Sequence, residues 1–368
     1  MVSLYGRDLS ARELARRTGR LAQVAGISPG EYADGPERHV RFLDIRSGAG
    51  LEVRVLVDRG MDIGELRIDG VPVSWRSPTG FRAAALTNAA EDEGAGILRS
   101  FDGLLVTCGL DHVRRAATGP ADHFGSRRTD LQYPMHGRIA MAPAELSGHG
   151  AAWQGEDCIF WCEGIARQAM LYGENLVLRR RIEVPLGGRH VEIVDRVENA
   201  GFHTVPHMLL YHVNFGFPLL AETAELLLPA GFAEAAGSPA RRDALRRQAG
   251  PAGPDAPDEL LDLHAEGPQP AGPACALVNP DLAGGLAVAL DWDLPGLPCL
   301  QVWRNLSDGL YVLAVEPAAQ PFVPRSDLAA QGALRLLRPG EIVDYRLRLS
   351  AHAGAAALDR LRSGLAMA

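Results

Sequence analysis

Leu176-Val177-Leu178-Arg179-Arg180-Arg181-Ile182-Glu183-Val184, then Leu186-Gly187-Gly188-Arg189, then His190-Val191-Glu192-Ile193-Val194-Asp195-Arg196-Val197: this stretch decides the fold class. Both flanking runs alternate polar and apolar residues over most of their length, which places successive side chains on opposite faces of a strand. The glycine pair between them supplies the turn of an antiparallel hairpin. The same texture extends outward in both directions. Toward the N-terminus it recurs at residues 39–45 and 51–57 and in the Asp-Gly turn of Ile68-Asp69-Gly70-Val71; toward the C-terminus it recurs at residues 286–290, 300–303, 311–315 and 342–349. Strands follow one another without regular intervening helices, so the expected class is all-β, an antiparallel sandwich or barrel in place of a βαβ fold. No Gly-x-Gly-x-x-Gly stands between a strand and a helix, and a dinucleotide site is not expected.

The 368 residues are read as one domain with short terminal helices. Residues 1–30 interleave charged and apolar residues at helical spacing (Leu14, Leu21, Val24), which predicts an N-terminal helical segment and not a signal peptide. Residues 355–368 predict a short closing helix. Residues 232–273 are rich in Ala, Pro and Gly and predict a long loop or small subdomain within the domain, because strand patterns resume soon after it.

Hydrophobic residues make up 47% of the chain and charged residues 22%, as in an ordinary globular protein. All 37 residues counted as Lys or Arg are Arg. A Schiff-base aldolase, a pyridoxal-phosphate enzyme and a P-loop nucleotidase each need a lysine amine, so those classes are excluded. The net charge of −8 argues against nucleic acid or an anionic membrane as partner, and no apolar window reaches the length of a membrane span. The five cysteines are odd in number and form no CxxC pair; buried thiols and a reducing cytoplasm are the expectation.

Three segments set ionisable groups in strand or glycine-marked contexts. Tyr133-Pro134-Met135-His136-Gly137-Arg138 places Arg138 two residues beyond His136, within reach of the same face. In Tyr211-His212-Val213-Asn214-Phe215-Gly216, His212 and Asn214 share one face of a strand while Tyr211, Val213 and Phe215 share the other. In Tyr311-Val312-Leu313-Ala314-Val315-Glu316-Pro317 a carboxylate ends an apolar strand just before a proline. Such a glutamate sits at the strand's exit, at a sheet rim or in a functional pocket.

In this order, the three segments resemble the aldose 1-epimerase superfamily. Val57-Asp58-Arg59-Gly60-Met61-Asp62-Ile63-Gly64, Thr107-Cys108-Gly109-Leu110-Asp111 and Tyr211-His212-Val213-Asn214-Phe215-Gly216 resemble a poorly characterised bacterial branch of it, and the likeness runs in segments over residues 38–349. The resemblance implies a large antiparallel β-supersandwich of galactose mutarotase type. It also implies a carbohydrate as small-molecule partner, anomer interconversion by cofactor-free and metal-free acid/base chemistry, Glu316 as general base, His212 as general acid and His136 as a positioning group. Characterised mutarotases normally read His-x-Tyr-Phe-Asn at the second histidine; here the order is Tyr211-His212-Val213-Asn214-Phe215.

Arg59 could grip a substrate carboxylate or sulfonate, which leaves an acidic sugar open, or it could pair with Asp58 or Asp62. Together with Arg59, the substrate-binding candidates are Asp62, His136, Arg138, Asn214 and Trp303, the last as an apolar platform. Asp111 and His112 pose the same choice between ligand contact and structure. Two other readings stand beside mutarotation. One is a metal-dependent sugar isomerase or lyase with ligands among His136, His207, His212 and Glu316; the other is a carbohydrate-binding or sensing protein without chemistry.

Overall fold

The hairpin expected from residues 176–197 forms the strands Asn175–Pro185 and His190–Asn199, paired antiparallel with Leu178 opposite Val197 and Ile182 opposite Ile193. The computed structural model describes residues 1–121, 129–228, 231–234, 239–266 and 275–366. The hairpin is the middle of an eight-stranded antiparallel sheet whose spatial order is Glu145–Gln154, Asp157–Ala169, Asn175–Pro185, His190–Asn199, Ile342–Ala353, Leu286–Trp292, Cys275–Asn279, Glu225–Leu227. Burial alternates along Asp157–Ala169 as the period-2 pattern requires.

A five-stranded meander, Gly26–Glu31, Arg41–Arg46, Leu51–Leu56, Asp62–Ile68 and Val71–Pro72, forms a second sheet. The third has six strands in the order Phe232–Glu234, Glu259–Ala265, Cys299–Asn305, Val312–Ala318, Met208–Phe215, Leu105–Leu110. Every residue of Leu105–Leu110, Met208–Phe215 and Val312–Ala318 is buried, so this sheet is covered on both faces. One face, with Tyr211, Val213 and Phe215, joins the main core shared by all three sheets. The other, with Val106, Cys108, Leu210 and Ala318, packs against Trp75, Phe101, Met141 and Phe322. The fold is the all-β antiparallel arrangement expected.

The N-terminal segment differs from expectation. It holds only a five-residue helix, Ala11–Ala15, capped by the reciprocal Ser10/Glu13 pair, between a hairpin (Val2–Leu4, Arg7–Leu9) and a 3-10 turn at Leu21–Gln23. The spacing of Leu14, Leu21 and Val24 arises from separate elements; Thr18-Gly19 ends the helix before a second turn can form. The closing helix, Ala355–Ala366, is present. Residues 232–273 contribute the strands Phe232–Glu234 and Glu259–Ala265 and the helix Pro239–Arg246; residues 235–238 and 267–273 lie outside the described residues. Low-complexity composition thus conceals Glu259–Ala265, whose Leu-Leu-Asp-Leu pattern pairs directly with Cys299–Asn305.

A buried ion cluster ties the sheets together. Arg180 donates to Asp62 at 2.7 Å and to Asp195 at 2.6 and 2.8 Å; Thr107 Oγ1 accepts from Arg180 and donates to Asp62, and Tyr211 donates to Asp195 at 2.6 Å. Each sheet supplies a member, and satisfying each buried charge is what makes the cluster tolerable.

Candidate active site

The Met208–Phe215 and Val312–Ala318 strands are neighbours, with Val213 opposite Val315 and Leu210 opposite Ala318. That register sets His212 across from Glu316, and His212 Nε2 stands 3.3 Å from Glu316 Oε1. The row continues across the sheet, because Gln301 is opposite Glu316 and Asp262 is opposite Gln301. Asp262, Gln301, Glu316 and His212 therefore form one polar row on the face turned away from the main core.

Glu316 is 1% exposed, and neither carboxyl oxygen has a hydrogen-bond partner. The 3.3 Å approach to His212 is close but not aligned as a hydrogen bond. Burial, reinforced by the nearby Asp262 charge, pushes the Glu316 pKa well above the usual carboxylate range, against the opposing charge of Arg114. His212 is lowered to about 4, chiefly by burial and partly offset by its bond to Asn214. Burial also drives His136 well below the ordinary imidazole value, with His212, His112 and Arg114 adding to the shift.

The hydrogen-bond network assigns the tautomer of His212. Asn214 Nδ2 donates to the Gly103 carbonyl at 3.0 Å, which turns Oδ1 toward His212 Nδ1 at 2.5 Å. Oδ1 can only accept, so Nδ1 carries the proton and the Nε2 lone pair faces Glu316. The upward shift of Glu316 and the downward shift of His212 both favour the uncharged forms, a protonated carboxyl beside an unprotonated Nε2.

Three aromatic groups surround the imidazole: Phe101 at 4.8 Å, Trp303 at 5.6 Å and His136 at 5.7 Å between centroids, each at a steep angle. His136 and Trp303 are half-buried and mark where the site meets solvent. The Trp303 indole donates to Asp258, as does Asn305, each at 2.8 Å. His136 adopts a left-handed φ of 56°, its backbone N–H donates to Arg114 O, and its Nδ1 is buried without a partner. Gly137 makes that turn possible: its φ is 74°, and a Cβ there would fall 1.9 Å from the Gly109 carbonyl oxygen.

Of the expected residues, His136, His212, Asn214, Trp303 and Glu316 come together; the others do not. Asn214 is fully buried and orients His212 in place of facing a ligand. Arg59, 2% exposed, donates to the carbonyls of Ala140, Arg82 and Ser100, and pairs with neither aspartate beside it. Asp62 belongs to the Arg180 cluster on the opposite face of the sheet. Arg138 turns toward the Gln132 carbonyl and Asp111, because the left-handed His136-Gly137 pair breaks the strand alternation that would have aimed it beside His136. His207 spends both ring nitrogens on Leu110 O and the Tyr345 hydroxyl, so it is not free to ligate. Among the described residues no three His, Cys, Asp or Glu side chains are grouped as a metal site would need.

Gln301, Asp262, Phe101 and Arg114 escape the sequence reading. The alternation of Gln301 and Trp303 puts them on one face, a usable signal; Asp262 is masked by the composition around it, and Phe101 and Arg114 arrive from loops.

The model of a domain of unknown function, DUF4432, matches residues 37–351. The chain belongs to the DUF4432 family. No curated protein matches this DUF4432 member. Among solved structures, it is similar to a provisionally named aldose 1-epimerase from Klebsiella pneumoniae, with a TM-score of 0.79 and 20% identity over 93% of this chain and 87% of that one. It is also similar to a galactose mutarotase-like protein from Clostridium acetobutylicum, with a TM-score of 0.58 and 12% identity over 90% and 99%. A galactose 1-epimerase from Lactobacillus acidophilus gives 0.56 and 15% over 89% and 99%. At these identities the likeness establishes the fold, a galactose mutarotase-like β-sandwich, and the recognition made from the three segments holds at that level.

Proposed function

We propose that this DUF4432 protein is a sugar mutarotase, an isomerase that interconverts anomers by opening and reclosing the ring. The observation that carries the reading is the Glu316–His212 pair: a buried carboxyl without hydrogen bonds, 3.3 Å from an imidazole nitrogen whose lone pair is turned toward it. Moving the shared proton from Glu316 to Nε2 creates a carboxylate and an imidazolium without changing the net charge. Glu316 then takes the proton from the anomeric hydroxyl while His212 gives one to the ring oxygen; the C1–O5 bond breaks and C1 becomes an aldehyde. Rotation about C1–C2 and the reverse transfers give the other anomer, and the site ends as it began. His136 and the Trp303 ring border the substrate at the solvent side.

The fold of the neighbours supports a carbohydrate substrate. No helix among the described residues is long and apolar enough to cross a membrane. All five cysteines are free and buried, which suits the cytoplasm we assign. The test is anomer exchange by NMR with a panel of neutral aldoses, uronic acids, and sugar sulfonates and phosphates. Exchange of at least one sugar should accelerate in proportion to protein; no acceleration with any of them would overturn the reading.

A further inference from the structure

We propose that Arg114 binds an anionic substituent of the substrate, so that the site selects acidic sugars over their neutral counterparts. The inference rests on the site assignment above, yet it has its own observations. Arg114 follows Asp111-His112-Val113 out of the Leu105–Leu110 strand and holds a left-handed φ of 73°, which costs energy in a residue with a Cβ. That backbone conformation is fixed by its carbonyl, which accepts from the N–H of His136 at 2.8 Å. The side chain is half-buried and its guanidinium carbon lies 5.8 Å from the Phe322 ring centroid. Phe322 packs in the same cluster as Cys299 and Ala318, each two residues along its strand from Gln301 and Glu316 and so on the same face. Arg114 is therefore tied through its backbone to His136 and through Phe322 to the face that carries Gln301 and Glu316.

Its guanidinium makes no ion pair and no hydrogen bond among the described residues, in a chain where most site-proximal arginines are consumed: Arg59 by three carbonyls, Arg138 by Gln132 and Asp111, Arg325 by Asp111 O. Five N–H donors in a planar fork beside a reaction site fit a carboxylate, sulfonate or phosphate. Its charge is felt at both Glu316 and His136, which places it within electrostatic reach of whatever occupies the space between them. The protein's net charge of −8 works against anions in general, so any preference for them must come from a local group.

The experiment measures binding by calorimetry and anomer exchange by NMR for matched pairs: glucose with glucuronate, galactose with galacturonate, and glucose with its 6-phosphate and 6-sulfonate. Wild type, Arg114→Gln, Arg114→Lys and Glu316→Gln are compared. The expected result is a preference of about tenfold or more for at least one anionic member, collapsing toward unity in Arg114→Gln, partly retained in Arg114→Lys and intact in the binding data of Glu316→Gln. The three anion types separate which acid is taken. Equal binding of neutral and anionic members by wild type, or a preference that survives Arg114→Gln, would overturn the inference. Because binding is read independently of exchange, anionic selectivity without turnover would overturn mutarotation and leave Arg114's role standing, whereas turnover without selectivity would do the reverse.

Discussion

A carboxyl group 1% exposed with both oxygens unbonded costs folding free energy that a solvated strand-end glutamate would not. Because its folded pKa lies above the unfolded value, the unfolded chain ionises first as pH rises. The pH-dependent part of that cost is absent below about pH 4.5 and grows above it until Glu316 itself ionises in the folded state. Glu316→Gln removes the titration, so its melting temperature should exceed that of wild type by a margin that widens from pH 5 to pH 8, equivalent to about 1–2 kcal/mol. A melting temperature equal to or below wild type across that range would contradict the burial argument. The one-proton pair also sets the pH profile of exchange: activity falls on the acid side as His212 protonates near 4, and on the alkaline side as Glu316 loses its proton. Asp262 helps raise Glu316, so Asp262→Asn should shift the alkaline limb to lower pH and leave the acid limb in place, as pH–rate measurements would reveal. Glu316 and His212 were legible in the sequence because each interrupts an apolar run. Arg59 and Asp62 misled because nothing local reveals their partners: Asp62 meets Arg180, 118 positions away.

The motif Asp58-Arg59-Gly60-Met61-Asp62 works as one element-level clamp. Asp58 takes Arg41, Arg59 gathers three carbonyls, the Gly60 N–H donates to Ala142, and Asp62 anchors Arg180. It positions the loops carrying Ser100-Phe101 and Ile139-Ala140 without touching the reacting face. Asp62→Asn leaves the Arg180 cluster short of a charge and should destabilise the fold by about 3 kcal/mol, measurable by urea unfolding. The KM for whichever sugar is turned over should stay within about twofold, since the cluster lies on the other side of the sheet; a large KM change with unaltered stability would restore Asp62 as a ligand. Strands were read at residues 176–197, where period-2 alternation met a glycine turn, but the hairpin Glu145–Gln154 and Asp157–Ala169, which turns at Gly155, was not read. Nor was Glu259–Ala265, because Pro and Gly on both sides outweighed a short alternating run, and with it went the partner of Gln301. Arg138 shows the complementary limit: spacing alone assumes an unbroken strand, and the left-handed His136-Gly137 pair breaks it.

At the scale of the molecule, three antiparallel sheets share one apolar core, and the Arg180 cluster draws a member from each. We propose that the chain unfolds as a single domain. Tryptophan fluorescence and far-ultraviolet circular dichroism should lose signal in one coincident urea transition; two separated transitions would divide the chain. The all-β class came from pattern, and the three site segments were joined by their resemblance to a known superfamily, whereas the convergence of loop residues such as Phe101 and Arg114 depends on long-range packing that no local pattern encodes. The central claim is that Glu316 and His212 move a proton to and from a sugar, and it is tested most directly by anomer-exchange NMR at pH 7 with wild type and Glu316→Gln side by side. The account predicts that the variant folds, binds the sugar and exchanges anomers slower by about 10²–10⁴-fold; exchange at the wild-type rate in a folded Glu316→Gln protein would contradict it.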